Sequence, residues 1–518
     1  MFQLVVITLL LMQCCQVATR LAVCKVYNMT QVDCSGRRFE NVPDKLPVFV
    51  SYLDLSGNLI AEISCVSFKG LGQLKGLNLQ YNELSVTRGK PFSGLSTLEY
   101  LDLEGNRLAA IPENLFSDLK NLKILILTSN TLAKLYPSSF HGLWQLNKLR
   151  LNRNAISTLP DGIFRESTQM TVINLDQNKL SCFPQTALKP LLKINEISLN
   201  RNSFRENCAE VGLGHFTALE KLMLSGCNIQ DSMLDNFNFA QAPTLHDLDL
   251  SSNNLKDPDA KLPVNVTVLN VDGNAISAET LAVMLRDLKL LKVKSLNLRG
   301  QFDNPSQITN TTFKGFQGTN FQKLDLSSNY IYVLPHRVFQ WLQHLTTLTI
   351  ENNNLYSLSR GVFQGLDRLI TLILTQNNLS NITQVSQSIA DLRQLQFLHL
   401  NFNEFSGQIP PGIFETVPSL LVLDLSDNSF TSIHPNSFTS LPNLQFLDLS
   451  YNAIQYSVPH AAFSFITSLQ TLNLTGNNLG SWIPYFDGAQ PLKGLTHLKG
   501  LSISCLSPSI WYSYLRLQ

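Results

Sequence analysis

From Val50 onward one arrangement of apolar and polar positions recurs, L-x-x-L-x-L-x-x-N-x-L, starting at Val50, Leu74, Leu98, Leu122, Leu146, Met170 and Ile194, always 24 residues apart. It resumes at Leu219, Leu245, Val266, Val293, Phe321, Leu345, Leu369, Leu395, Leu420, Leu444 and Leu469, and a degraded copy starts at Leu498, giving about nineteen in all. The x-L-x-L core alternates, which predicts a short strand with leucines directed inward and the intervening residues outward. A single copy has no means of burying its leucines, so copies must stack on one another.

This is the signature of leucine-rich repeats. It predicts an α/β solenoid, a horseshoe with a parallel sheet on its concave face and irregular, 3-10 or short helical segments on its convex side. With parallel strands about 4.8 Å apart, eighteen steps trace an arc of roughly 90 Å. The polar exception is the asparagine: Asn452 sits among Leu444, Leu447, Leu449 and Ile454, as Asn58, Asn82 and Asn106 do in earlier copies. After each strand the chain turns inward and leaves backbone N–H and C=O groups without ladder partners. An amide both donates and accepts, so a stacked column of them satisfies those groups. Cys227 occupies the same column and reads as a buried substitute rather than a redox group. Phe68, Phe92, Phe116, Phe140, Phe164, Phe339, Phe363, Phe414, Phe438 and Phe463 each stand six residues before a repeat start, predicting a packed ring column on the convex half.

The period breaks between Cys227 and Phe321, where the phenylalanine column disappears and Gln301 replaces the asparagine. The expected organisation is therefore a signal peptide (1–19), an N-terminal cysteine cap (20–49), regular repeats (50–226), irregular repeats (227–320), regular repeats (321–506) and an uncapped tail (507–518). Unequal repeats alter solenoid geometry, and the irregular block is where a pocket or lateral surface is expected. Plain loop drift explains it equally well.

The apolar run Leu4–Met12 followed by small residues reads as a secretory leader, and no later run reaches the length of a membrane-spanning helix. The sequons at Asn28, Asn265, Asn310, Asn378, Asn381 and Asn473 agree with that route. So does cysteine placement: Cys24 and Cys34 close a small cap, and Cys182 and Cys208 lie on adjacent coils at bonding distance. Cys65 and Cys505 have no evident partner. At the other end, either Trp511, Tyr512, Tyr514 and Leu515 fold over the last repeat, or the chain is a shortened product of a longer one.

With its Cys24/Cys34 cap, its frames "YLDLSGNLI", "KLDLSSNYI" and "FLDLSYNAI", and a disturbed central block, the chain resembles a Toll-like receptor ectodomain. The resemblance covers roughly Cys24 to Leu479. It implies pattern recognition in innate immunity, a microbial or endogenous ligand, and a homodimer or a heterodimer with a full-length receptor. A C-terminal cysteine cap, a transmembrane helix and a cytoplasmic signalling domain are not in the sequence, so a soluble or incomplete form is expected, secreted or on the luminal side of a membrane. The alternative is an extracellular adhesion or matrix protein built on the same repeats.

Charge is balanced at a formal +1, so no global attraction to nucleic acid or anionic lipid is expected. Motifs for hydrolysis, phosphate binding or metal catalysis are missing, which points away from an enzyme and from any cofactor. Among outward strand positions acids outnumber bases twelve to five, and the aspartates of the L-D-L-S frame read as a solvated face. The local exception is "LNKLRLNRN", where Lys148, Arg150 and Arg153 form a candidate contact for an anionic ligand. A second candidate is apolar: Phe397 and Phe446 project from the strands beside His399, suited to anchoring a protein partner. A glycan on Asn473 would obstruct that surface.

Overall fold

A computed structural model describes residues 24–28, 30–44, 46–258, 265–276, 280, 283, 293–301, 308–455, 462–479, 492 and 495–503. The leader, Cys505 and the tail with Trp511, Tyr512, Tyr514 and Leu515 lie outside the described residues. The chain divides into two compact units, Met1–Asn254 and Leu255–Gln518. The division falls within the block where the 24-residue period is lost.

The first unit opens with an antiparallel hairpin, Lys25–Tyr27 against Gln31–Asp33, tied by the Cys24–Cys34 disulfide. Gln31–Asp33 then runs parallel to Tyr52–Asp54, followed in register by Gly76–Asn78, Tyr100–Asp102, Ile124–Ile126 and Lys148–Arg150. Val172–Asn174, Glu196–Ser198, Lys221–Met223 and Asp247–Asp249 continue it. The central residue of each strand from Leu53 onward is Leu or Ile and fully buried, as the alternation predicts. The second unit repeats the plan from Val268–Asn270 through Lys323–Asp325, Phe397–His399, Val422–Asp424 and Phe446–Asp448 to Gly500–Ser502. Both units are parallel β-solenoids of leucine-rich coils.

The asparagine ladder is built as the backbone requires. Asn82 Nδ2 donates to Leu79 O at 3.0 Å in its own coil and to Leu55 O at 2.9 Å in the preceding one, while its Oδ1 accepts from Ile60 N–H at 3.1 Å. Asn452 repeats this with Leu449 O, Leu425 O and Phe430 N–H. The residue before each ladder position turns left-handed: φ is 53° at Tyr81, 57° at Arg153 and 50° at Tyr451. That conformation brings the amide inward, and glycine, which adopts it without a Cβ penalty, takes the place at Gly57 and Gly105. The cap joins the same system, because Asn58 Oδ1 accepts from Arg37 and Phe39 N–H at 2.9 and 3.0 Å.

Cys227 keeps one half of the asparagine function. Its Sγ lies 3.1 Å from Leu199 O, a carbonyl of the preceding coil, and burial pushes the thiol up to about 12. The expected loss of the ladder at Gln301 is corrected: its Nε2 donates to Val271 O at 2.8 Å, so the longer amide reaches the same carbonyl row. Its buried Oε1 has no hydrogen-bond partner among the described residues.

Phe68, Phe92, Phe116, Phe140 and Phe164 stack with ring centroids 5.6–6.4 Å apart. Strands are spaced by about 4.8 Å, so within this unit the ring side is the longer and the sheet lies on the inner side. In the second unit the column from Phe339 to Phe363 and from Phe414 to Phe463 has spacings of 6.0–6.4 Å. The column does not disappear before Phe321 as expected. Phe313 is fully buried and stacks on Phe339 at 5.9 Å, and Phe237 meets Phe183 edge-on at 6.2 Å. Repeats of unequal length place the ring at a different sequence offset, which a fixed spacing rule misses.

Candidate functional site

Turn and ring columns are scaffold, which leaves the outward strand positions as the side chains the frame does not use. In the first unit Lys148 and Arg150 flank the fully buried Leu149 and are both exposed. Register sets them between Ile124 and Ile126 on one side and Val172 and Asn174 on the other. Arg153 is exposed in the left-handed turn just beyond the strand. The structure thus sets Lys148 and Arg150 on one face of the strand and Arg153 in the turn that follows. Among the described residues none of them forms an ion pair, whereas the sheet-face Lys221 stands 3.8 Å from Asp247.

The acidic residues behave differently from the solvated face expected. Glu104, Asp176, Asp272 and Glu351 lie in turns after their strands, not on them. Asp102 is only 4% exposed: Oδ1 accepts Glu104 N–H at 2.9 Å and Oδ2 accepts the Tyr100 hydroxyl at 2.8 Å. Asp54 holds Ser56 N–H and the Asn78 amide, and Asp176 holds Ser198 Oγ–H and Asn200 N–H. These carboxylates brace turns, because a side-chain acceptor two residues before an N–H closes a local ring. Neutral donors fix these carboxylates in place without cancelling their charge, and Lys148, Arg150 and Arg153 are a local basic exception among them.

Two and four strands before the cations, at Tyr100 and Tyr52, lies an aromatic platform that strand periodicity alone does not reveal. The Tyr52 ring lies across Gly76, where any Cβ would collide with it, and Tyr100 is half-buried two strands further on. The Tyr100 phenol is pushed up by burial and by Asp102, while Arg150 pulls in the opposite direction, which places the guanidinium within electrostatic range. The signal for this platform was present as Tyr–Gly–Tyr at successive first strand positions, 24 residues apart.

In the second unit Phe397, His399 and Phe446 occupy the inward-curving sheet face, all half-buried. Phe397 pairs in register with Val422 and Val422 with Phe446, so the two rings belong to one continuous apolar row. His399 Nδ1 stands 3.8 Å from Asp424 Oδ2, and Asp424 Oδ1 accepts Ser426 N–H and Oγ–H at 3.0 and 2.7 Å. Burial acts to raise the Asp424 carboxyl, but the contacts from His399 and Ser426 outweigh it and hold it below the usual range. Asp427 is pushed up by burial and by the neighbouring Asp424 and Asp448.

Asn28, Asn310, Asn378 and Asn381 are exposed, and Asn381 Oδ1 caps the helix Ile382–Ser388 by accepting Gln384 N–H at 3.1 Å. Asn265 is half-buried. Asn473 is half-buried on the sheet face, its Nδ2 donating to Asp448 Oδ2 at 2.9 Å and its Oδ1 accepting Thr475 N–H at 3.1 Å. The Cys182–Cys208 disulfide forms as expected, while Cys65 is free and exposed. Among the described residues no helix is long and apolar enough to cross a membrane, and no group of three or more His, Cys, Asp or Glu is placed to hold a metal ion.

Known proteins match this frame at several levels. Toll-like receptor 3 of Boselaphus tragocamelus is 26% identical over 219 residues, 40% of this chain and 21% of that protein. Tsukushi of Gallus gallus is 39% identical over 75 residues, 14% of this chain and 20% of that protein. The matched stretches thus span about a fifth of these curated relatives. A crystal structure of a TLR13–ssRNA13 complex superposes with a TM-score of 0.76 at 24% identity, covering 95% of this chain and 69% of that one. The mouse RP105/MD-1 complex gives 0.54 at 19% identity, covering 93% and 80%. These superpositions show the fold, and the resemblance to Toll-like receptor ectodomains read from the repeats holds in three dimensions. The leucine rich repeat family model matches in six segments that together span residues 50–204 and 319–454, with shorter repeat models at 241–262 and 468–488. That is more than half of the 518 residues, and the chain belongs to the leucine-rich repeat family.

Proposed function

We propose that this chain is a non-enzymatic ligand-recognition module of a Toll-like, innate-immune kind, working on the extracellular or luminal side of a membrane, and that an anionic ligand seats on Lys148, Arg150 and Arg153. The carrying observation is that these three exposed cations have no carboxylate partners among the described residues, while the nearby aspartates are oriented by hydrogen bonds within their own turns and neighbouring coils. Unpaired cations on a rigid strand are pre-organised for phosphate, sulfate or carboxylate groups. The TLR13 neighbour is seen with single-stranded RNA, a polyanion, which supports the same ligand class here. Glycans on the exposed Asn28, Asn310, Asn378 and Asn381 belong to this reading, as does joining of two copies, or of one copy and a longer receptor, by ligand.

Charge reversal tests it. The double variant Lys148→Glu with Arg150→Glu is expected to bind a short single-stranded RNA or heparin fragment at least ~10-fold more weakly, and the slope of log affinity against log salt should fall by about 1.4 for RNA. Unchanged affinity and slope contradict the reading. The Tsukushi match supports an adhesion or matrix role as the second reading. In that case the variant leaves binding to a protein ligand intact.

A further inference from the structure

The sheet face of the second unit carries an arrangement that an anionic ligand does not use. Phe397, Val422 and Phe446 are direct neighbours on three adjacent strands, so their side chains form one apolar row about 10 Å long. Two residues further along the same strands stand His399, Asp424 and Asp448, a parallel polar row about 7 Å away. Asp427 adds a third carboxylate in the turn beyond, close enough to feel Asp424 and Asp448. None of the outward strand positions from Thr347 to Ser502 carries Lys or Arg, and His399 is the one basic group there. The half-buried apolar row thus lies beside carboxylates that no Lys or Arg of these strands offsets: Asp424 is met by His399 and Ser426, and Asp448 by the neutral donors of Ser450 and Asn473.

We propose that this face docks a protein segment of cationic, apolar chemistry: an extended stretch in which a large aliphatic or aromatic side chain lies on Phe397, Val422 and Phe446 while a Lys or Arg two residues away meets Asp424 and Asp448. An extended chain repeats its side chains on one face every 6.6–6.8 Å or so, which matches the separation of the two rows. Burial of the apolar anchor supplies affinity and the carboxylates supply register and selectivity against acidic partners. The site is independent of the Lys148 cluster, which lies in the other unit.

The test uses the full chain and two synthetic peptides, one repeating Leu-Thr-Lys-Thr and its twin repeating Leu-Thr-Glu-Thr, with binding read by calorimetry or fluorescence anisotropy. In a Lys148→Gln, Arg150→Gln background, which removes the anion contact of the first unit, the lysine peptide is expected to bind and the glutamate twin to bind at least ~10-fold more weakly. Asp424→Asn with Asp448→Asn should weaken the lysine peptide by a similar factor, Val422→Arg should abolish its binding, and Lys148→Glu should leave it unchanged. Melting followed by circular dichroism confirms that each variant is folded. Should Val422→Arg unfold the coil, the aspartate pair, which keeps side-chain size, decides the matter. Equal binding of both peptides, wild-type affinity in the aspartate pair, or preference of this face for RNA or anionic vesicles overturns the proposal.

Discussion

Asn452 carries the argument at the scale of one residue. Its amide serves two carbonyls and one N–H that the inward turn has removed from water, so deleting it leaves several buried groups unpaired at about 1–3 kcal/mol each. Asn452→Leu, with the same branching and number of side-chain heavy atoms but unable to hydrogen bond, is therefore expected to lower stability by about 3 kcal/mol or more. Native-state hydrogen exchange should show the loss centred on the coils that contain Leu425 and Leu449. Exchange and melting equal to the parent would remove the ladder from the account. Cys227 offers a second check at this scale. A thiol pushed up to about 12 and held against Leu199 O has almost no thiolate at pH 8. Iodoacetamide is expected to label the exposed Cys65 in the folded protein and to label Cys227 only after denaturation, as read by mass spectrometry. Rapid native labelling of Cys227 would show that the coil there is open.

Elements show where sequence reading succeeds and where it stops. The strands, the amide column and most of the ring column were legible, because each follows from a strict 24-residue period and from backbone groups that every coil must satisfy in the same way. The Cys182–Cys208 bridge was legible because adjacent coils bring such positions together, and the Cys24–Cys34 bridge because the two cysteines stand close in sequence just before the first repeat, where a small cap is needed. The state of the outward residues was not. Asp102 reads as a surface acid in "YLDLEGN" yet is buried under the Tyr100 hydroxyl, since a short carboxylate finds its partners within its own turn. Val422 drew no notice alone; only register shows that it joins Phe397 to Phe446. Gln301 and Phe313 were misread because a longer side chain or a shifted offset restores a contact that a fixed spacing rule declares lost. The Cys182–Cys208 bridge also gives an element-scale expectation. It closes a loop of sequence separation 26, for which restriction of the unfolded chain contributes about 3.5 kcal/mol. Replacing both cysteines by alanine should lower the denaturation midpoint of the first unit by a corresponding amount while leaving the second unit's transition in place. A shift confined to the second unit would contradict the assignment.

At the scale of the whole molecule, each of the two solenoid units carries a sheet-face patch of its own character, a local basic one at Lys148 and Arg150 in the first and an apolar one with carboxylates at Phe397, Val422 and Asp424 in the second. A balanced formal charge of +1 conceals this, since the two patches cancel in the sum. On the proposed function, recognition is a matter of where on the strands a ligand rests, and the core beneath, with fully buried leucines in coil after coil, holds those positions fixed. Hydrogen–deuterium exchange of the full chain with and without a short single-stranded RNA or heparin fragment tests this most directly. Protection centred on the strands Ile124–Ile126, Lys148–Arg150 and Val172–Asn174 and on the turn at Arg153 is the result the account requires. Protection confined to the phenylalanine side of the coils, with those strands unchanged, would contradict it.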